Sequence, residues 1–211
     1  MSAHSFRVAA VTDASPRRRV SPLTPEDRRA AIIAATLPLL RAEGVHVSSK
    51  RIAECAGVAE GTIFRAFPDK NALIAATLAH AFDPAPTIES IKAVAGDPDV
   101  RFRLKTAVRI LTRRFRDNAP LMMSLRGSGL AVVTTTPVFD PREALTGISD
   151  AVAELISDDA DRFRLPPQTV ASLLISMVFF NNRNEVLPED QIVDVVLDGV
   201  LSPEAKKEPA C

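Results

Sequence analysis

The sequence predicts an all-α protein, and three observations lead to that prediction. Apolar residues recur at three- and four-residue spacing, as on one face of a helix, through most of the 211 positions. Glycine and proline interrupt this pattern where helices should end or begin. Between residues 47 and 73, two short helical stretches meet at Gly57 in the manner of a helix-turn-helix. We therefore expect an N-terminal three-helix helix-turn-helix domain followed by a larger helical domain.

The first helix is predicted to run from Pro25 to about Glu43. Thr24 is a suitable N-cap, proline fits the first helical position, and acidic residues follow in the first turn. Gly44 should end the helix. The apolar positions that should pack over the motif are Ile32, Ile33, Leu37, Leu39 and Leu40.

Each helix of the motif has an inward and an outward side. The inward positions are apolar or small: Ile52, Ala53, Ala56, Val58, Ile63 and Phe67. The outward positions of the second helix are Glu60, Gly61, Phe64 and Arg65. This outward side is short, mixed and weakly hydrophobic. A helix of this kind suits the major groove of DNA, with its partner helix supporting it against the phosphates.

At these residues the chain resembles the TetR family of transcriptional regulators. The matching positions are Ser48, Ile52-Ala53, Ala56-Gly57-Val58, Gly61-Thr62-Ile63-Phe64, Phe67, Lys70 and Leu73. Their order and spacing agree throughout, and the resemblance covers roughly residues 25 to 82. It implies a DNA-binding head, a palindromic double-stranded operator and a homodimer.

The resemblance also implies DNA contacts, residue by residue. Phosphates would be contacted by Ser48, Ser49, Thr62 and Lys70, and base edges would be approached by Lys50, Glu60, Gly61 and Arg65. Arg65 is the first candidate for a guanine, since a guanidinium can donate two parallel hydrogen bonds to that base. Phe64 replaces the commoner Tyr and has no hydroxyl for a phosphate, which leaves it to pack against sugar.

The first 24 residues have no helical period and are expected to form a flexible basic arm. The cluster Arg17, Arg18 and Arg19 has two interpretations. It either reaches into the adjacent minor groove or belongs to a solvated tail.

The charge distribution agrees with a DNA-binding head, although the net charge is zero. Residues 1–82 contain 11 Lys and Arg against 7 Asp and Glu, and the remainder contains 15 against 19. A basic N-terminal part gains affinity by releasing counterions from phosphates, whereas an acidic remainder stays away from the duplex.

Beyond the motif, Asp69 is expected to cap a fourth helix that links the head to the rest of the chain. Pro84 and Pro86 should end it. We therefore place the helix-turn-helix domain with its linking helix at 25–82, a helical ligand-binding and dimerisation domain at 83–201, and a tail at 202–211. Further helices are predicted at about 87–96, from Asp97 onward, at 120–126, from Asp140 to about Asp159, at 166–182 and at 188–201. Residues 127–140 form either a loop or a lid over a pocket, and the loop is favoured.

The helix that follows Asp97 has a basic side opposite its apolar one. The basic residues are Arg101, Arg103, Lys105, Arg109, Arg113, Arg114 and Arg116. A second nucleic-acid site is one interpretation, but a charged run opposite an apolar stripe is usually a solvated helix face.

The closing helix pair has more apolar residues than one core easily uses, which predicts a four-helix subunit interface. The candidates are Val170, Leu173, Leu174, Val178, Ile192, Val195, Val196 and Val200. The alternative is burial of these residues within one subunit.

A small hydrophobic ligand is expected in the second domain. Pocket candidates are Met122, Met123, Leu125, Arg126, Phe139, Met177, Phe179, Phe180 and Asn181, each of which could equally be ordinary core. The three histidines are scattered, and no phosphate-binding loop, HExxH or GxSxG motif occurs, so we expect no metal, no cofactor and no enzymatic activity. Cys55 is either a thiol sensor or inert packing.

The sequence shows no long apolar run and no signal peptide, and its two cysteines fit a reducing compartment, so a cytoplasmic protein with no membrane partner is expected. The favoured function is a ligand-responsive dimeric repressor that a small molecule releases from its operator. The alternative is a helical ligand-binding or interaction protein without specific DNA binding.

Overall fold

The computed structural model describes residues 24–127, 141–184 and 186–200, and these form an all-α protein, as predicted. Within these ranges the helices are α1 (Pro25–Glu43), α2 (Ser49–Ala56), α3 (Glu60–Ala66), α4 (Lys70–Phe82), α5 (Ala85–Lys92), α6 (Val100–Gly127), α7 (Pro141–Leu155), a 3₁₀ helix (Ser157–Arg162), α8 (Pro167–Asn184) and α9 (Glu189–Val200). The arm with Arg17, Arg18 and Arg19, the segment 128–140 with Phe139, and the tail 202–211 lie outside the described residues. We call residues 24–82 the head and residues 85–200 the body.

The head begins and turns at residues whose local chemistry stops or starts a helix. The Thr24 hydroxyl accepts a hydrogen bond from the Asp27 amide at 3.1 Å and so caps α1. Gly44 ends α1 with φ 75°, and Gly57 ends α2 with φ 65°; both are backbone conformations that favour glycine. Helix α3 begins only at Glu60, so Val58 precedes it rather than belonging to it, and the Val58 side chain is partly buried against the head core.

The head core is one apolar cluster shared by α1 to α4 and the end of α6. We call it the head cluster. Its buried members are Ile32, Leu39, Leu40, Val45, Val47, Ile52, Ala53, Ile63, Phe67, Leu73, Ile74, Leu78, Phe82 and Leu121. A fully buried Ile or Leu stabilises a fold by about 1.5–3 kcal/mol relative to its exposed state, so these contacts, rather than the two short motif helices, hold the head together.

Helix α6 differs from the prediction, because it runs unbroken from Val100 to Gly127 with Pro120 inside it. We expected a new helix to start at Pro120. Proline removes one intrahelical hydrogen bond, and such a loss usually interrupts a helix. Here the turn after Pro120 buries Leu121 in the head cluster and packs Leu125 against it, and this burial offsets the lost hydrogen bond.

The body core is a second cluster, formed by α5 to α9, which we call the body cluster. Helix α8 lies in contact with α6, α7 and α9. Helix α7 ends at Leu155 rather than near Asp159, and the 3₁₀ helix continues the chain. The α8 and α9 residues buried in this cluster include Val170, Leu174, Val178, Ile192 and Val196.

These five residues were assigned from the sequence to a subunit interface, and that assignment is corrected. They are core side chains of a single chain, because α8 is surrounded by three helices of the same body. Leu173 and Val195 are exposed on the outer side of the same helices. The side chain of Val200 lies outside the described residues.

Among the helices described, none has an apolar stretch long enough to span a lipid bilayer.

Candidate nucleic-acid interface

The start of α2 presents two serines and a lysine at the surface of the head. Ser48 is exposed and caps α2, where its Oγ accepts a hydrogen bond from the Arg51 amide at 3.1 Å. A serine hydroxyl that accepts one bond can still donate its proton to a phosphate oxygen. Ser49 is half-buried and Lys50 is exposed next to it. This corner of the head can therefore offer both hydroxyl donors and a cation to a phosphate.

The outer side of α3 is exposed where the sequence analysis placed the base-reading residues. Glu60, Gly61 and Arg65 are exposed, and Thr62 is half-buried. Phe64 exposes 47% of its surface, whereas Ile63 and Phe67 are fully buried on the opposite side. A Cβ at Gly61 would meet nothing within 4 Å, so no internal contact requires glycine there. The absence of a side chain leaves this part of α3 low enough for close approach to a base pair.

Lys70 stands at the first position of α4, beside the N-cap Asp69. The Asp69 carboxylate accepts from the Ala72 amide at 2.7 Å and fixes the start of this helix. Lys70 is half-buried. The structure thus brings Ser48, Ser49, Lys50, α3 and Lys70 together on one domain, and it brings none of the body residues into this group.

Sequence reasoning missed Arg29, which holds the C-terminal end of α3. Arg29 extends from α1 and donates through Nη1 to the carbonyl oxygen of Ala66 at 2.7 Å. Its guanidinium carbon also lies 4.1 Å from the centroid of the Phe67 ring. A cation near the carbonyls at a helix C-terminus is favourable, and the ring adds a cation–π contact. No local pattern could have indicated this contact, because 37 residues separate the two partners.

The basic side of α6 is largely paired within the chain, which favours a solvated helix face over a second nucleic-acid surface. Lys105, Arg109 and Arg116 form ion pairs with acidic residues of α9 at 3.3–3.8 Å, and Arg101 pairs with Asp194 of the same helix. Arg103 is buried and paired with Asp159, which also accepts from Arg162 at 2.9 Å. Arg113 differs from these, because 85% of its side chain is exposed.

Arg114 and Asn118 of α6 bind the C-terminal end of α4, and we call these two residues the clamp. Arg114 donates through Nη2 to the Phe82 carbonyl at 2.7 Å, and through Nη1 to the Asp83 carbonyl at 2.9 Å and to Thr87 Oγ1 at 3.1 Å. Asn118 donates through Nδ2 to the Ala81 carbonyl at 3.1 Å. Burial lowers the pKa of the Arg114 guanidinium, and the nearby Asp83 carboxylate partly opposes that shift.

A second contact joins α6 to the end of α1. The Val45 amide donates to Ser124 Oγ at 3.1 Å, directly after the turn at Gly44. A Cβ on Gly44 would lie 2.6 Å from that hydroxyl oxygen, so a larger residue there would force the Ser124 side chain to move. The C-terminal ends of both α1 and α4 therefore rest on α6.

The predicted pocket residues do not form one group. Leu125 packs against the head cluster, whereas Met177 packs against the body cluster. Met122, Met123, Phe179 and Phe180 are exposed to different extents, and the Phe179 ring meets Phe115 edge to face at 5.5 Å. The Asn181 side chain already has two partners within the chain, because its Nδ2 donates to the Leu187 carbonyl oxygen and its Oδ1 accepts from the Leu187 amide. The Arg126 side chain lies outside the described residues.

The described residues show no cluster of His, Cys, Asp or Glu that could hold a metal ion. Cys55 is exposed near the end of α2 and is a free thiol. It is therefore not part of the head core.

Comparison with known proteins agrees with this architecture. The family described as "Bacterial regulatory proteins, tetR family" matches residues 32–77, which extend from α1 into α4. No curated protein sequence matches the chain.

The solved structures similar to this chain include several transcriptional regulators. A Mesorhizobium loti protein assigned to the TetR-family regulators is 17% identical with a TM-score of 0.64, over 86% of this chain and 100% of its own. A TetR transcriptional regulator from Streptomyces coelicolor is 24% identical with a TM-score of 0.55, over 83% of this chain and 99% of its own. SmeT, the repressor of a Stenotrophomonas maltophilia multidrug efflux pump, was solved with triclosan; that structure is 14% identical with a TM-score of 0.56, over 87% of this chain and 99% of its own.

These likenesses concern the fold, whereas the family match concerns the helix-turn-helix itself. The match covers the elements that carry Ser48, Lys50, α3 and Lys70. Residues 32–77 carry a helix-turn-helix domain of the tetR family of bacterial regulatory proteins, and the chain that contains this domain is a DNA-binding transcriptional regulator.

Proposed function

We propose that this regulator is a dimeric repressor that binds a palindromic operator and leaves it when a small hydrophobic molecule binds the body. The observation that carries the proposal is the geometry of α3. Its inner side is fixed by buried Ile63 and Phe67, and its outer side exposes Arg65 beside Glu60 and Gly61. A short helix supported in this way can enter the major groove, where only contacts to base edges carry sequence information.

We assign a role in DNA binding to each residue of the head from its position on α2, α3 or α4. Ser48, Ser49, Thr62 and Lys70 contact phosphates and set the register of the head on the duplex. Arg65, with Lys50, Glu60 and Gly61 nearby, reads base edges. Phe64 packs against sugar. The carboxylate of Glu60 repels phosphate, so each head has modest affinity and the protein depends on two heads acting together.

The proposed dimer uses the outer side of α8 and α9 rather than the residues that the sequence suggested. Leu173 and Phe180 of α8 and Val195 of α9 are exposed, and the small side chains of Ser172 and Ser176 are also exposed on α8. An apolar face with small residues lets two copies approach closely in a twofold arrangement. Two-fold symmetry of the protein then requires two half-sites related by the same symmetry.

The proposed ligand response passes through α6, because this helix contributes to both clusters. Leu104 and Leu111 lie in the body cluster, and Leu121 lies in the head cluster. Of the pocket candidates, Met177 packs against the body cluster and Phe179 meets Phe115 of α6, so we propose these three residues as ligand contacts. The complex of SmeT, a repressor of the same fold, with triclosan supports a small-molecule ligand for this body. A ligand can release the operator only if it binds the protein more tightly when the heads are off the DNA than when they are on it.

Selection of bound sequences from a random DNA pool tests the proposed function. The purified full-length protein is incubated with the pool at one fixed salt concentration, and the recovered sequences are compared with those of an Arg65→Ala variant. We expect an inverted repeat for the unmodified protein. Recovery of only salt-sensitive background without a shared site would contradict specific operator binding.

A further inference from the structure

The C-terminal end of α4 is held by side chains from another helix. The last carbonyl oxygens of any α-helix lack intrahelical partners. Here the carbonyls of Ala81, Phe82 and Asp83 all accept hydrogen bonds from Arg114 or Asn118 of α6. Arg114 also reaches Thr87 in α5, so one guanidinium joins α4, α6 and α5. The planar fork of arginine can hold several acceptors in a fixed arrangement, which lysine cannot do.

Asn118 indicates that this arrangement has a use besides stability. The residue is buried, its Nδ2 donates to Ala81, and its Oδ1 has no hydrogen-bond partner among the described residues. A buried acceptor without a partner is costly. An apolar residue at this position would avoid that cost, but it would also lose the bond to α4.

Helix α4 converts small rotations at the clamp into large displacements of the head. Its 13 residues make it about 20 Å long. A rotation of about 10° about its C-terminal end moves the Lys70 end by about 3.4 Å, which equals the rise of one base pair. Head orientation must therefore be fixed within a few degrees if two heads are to meet two half-sites at one spacing.

We propose that Arg114 and Asn118 are positioning residues that set the operator spacing by fixing the angle between α4 and α6. They do not contact DNA themselves. The inference rests on the proposed dimeric operator binding, and it adds the two residues that determine which half-site separation is accepted.

The test compares operator affinities across a spacing series. The inverted repeat recovered for the unmodified protein is synthesised with its half-sites one and two base pairs closer together or farther apart. Full-length Arg114→Met and Asn118→Leu are compared with the unmodified protein by fluorescence anisotropy at one salt concentration. Arg113→Met is the matched control, because it removes a neighbouring arginine that is largely exposed.

We expect the preference for the best spacing to fall from about tenfold in the unmodified protein and in Arg113→Met to below about threefold in both clamp variants. Preference for the bases of each half-site should remain, because α3 is unchanged. Arg114→Lys should restore the spacing preference only in part. Asn118→Leu removes the unpaired oxygen together with the bond to α4, so it can lose the spacing preference without losing stability. If Arg114→Met does not fold, the spacing profiles of Arg114→Lys and Asn118→Leu test the inference instead.

An unchanged spacing profile in folded variants would overturn the inference, whatever their absolute affinity. Failure of the proposed function has a different signature, because the unmodified protein would then yield no inverted repeat from which to build the series.

Discussion

The guanidinium of Arg29 in α1 stacks on the ring of Phe67, the residue that follows the recognition helix α3, at 4.1 Å from the ring centroid. The same guanidinium donates to the Ala66 carbonyl at the end of α3. One side chain thus joins the first helix of the head to the end of the helix that we propose enters the major groove. The recognition helix has only seven residues, so it depends on such tertiary contacts more than on its own helical tendency.

Replacing Arg29 by Ala should lower the free energy of unfolding by about 1–2 kcal/mol, since it removes a cation–π contact and a hydrogen bond to a helix end. Urea denaturation followed by circular dichroism measures this loss. Arg41→Ala, at an exposed position of the same helix, is the control and should cost less. Equal losses in the two variants would show that Arg29 does not support α3.

Arg65→Ala should weaken operator binding by about 1–3 kcal/mol per half-site and relax the base preference at one position in each half-site. Lys70→Ala, at a proposed phosphate contact, should instead lower affinity about equally for all operator sequences. Binding measured against all single-base operator variants distinguishes the two effects. An Arg65→Ala protein that keeps full base preference would rule out this residue as the guanine reader.

Gly44→Ala should destabilise the protein more than Gly57→Ala. Both glycines have positive φ, which costs about 1–2 kcal/mol for a residue with a side chain. Only the Gly44 Cβ would also meet the Ser124 hydroxyl at 2.6 Å, whereas nothing lies within 4 Å of a Cβ at Gly57. Thermal unfolding of the two variants gives the comparison. The difference should shrink in a Ser124→Ala background, and a difference that persists there would assign it to the backbone conformation of Gly44 alone.

Asp159→Asn should cost about 3 kcal/mol, because it leaves buried Arg103 without its carboxylate. Asp194→Asn removes partners of Arg101 and Lys105, but these three side chains are 27–42% exposed, whereas Arg103 is buried, so its cost should stay below about 1 kcal/mol. The Asp194 effect should also disappear at about 1 M salt, where the screening length is about 3 Å. Urea titrations at low and high salt check both expectations. Equal losses, equally sensitive to salt, would contradict the structural difference between the two pairs.

Leu173→Asp should convert the proposed dimer to a monomer, because it places a charge on the outer side of α8. Leu145→Asp is a matched control, since both leucines expose 43% of their surface but Leu145 lies on α7. Sedimentation velocity at several concentrations measures the oligomeric state. Loss of the dimer in both variants, or in neither, would contradict the proposed interface.

The head was predictable because its signals are local. Thr24 and Asp69 each cap a helix as predicted, Ser48 caps α2 although it was not predicted to do so, and the two turn glycines adopt positive φ. These features depend on neighbours within a few residues of the chain. The sequence therefore located the helix-turn-helix and its outward side before any tertiary contact was known.

The contacts between helices were not predictable in the same way. An apolar face on α8 shows that the helix is buried, but periodicity does not show whether its neighbour is the same chain or a second copy. For Val170, Leu174 and Val178 the neighbour is the same chain. The basic side of α6 presented a related problem, since its meaning depends on the acidic residues of α9 that face it. Arg114 appeared in the sequence as one of seven similar cations, and only its contacts with α4 distinguish it.

The burial of Leu121 in the head cluster has a practical consequence for hybrid regulators. A hybrid that joins this head to a foreign body at residue 82 would omit Leu121 and Ser124, although the head packs against both. Loss of one buried leucine commonly costs about 2–5 kcal/mol, which is comparable to the whole stability of a small domain. Residues 24–82 alone therefore lack part of the core that stabilises the head. A graft that keeps this head intact must also carry the last turns of α6.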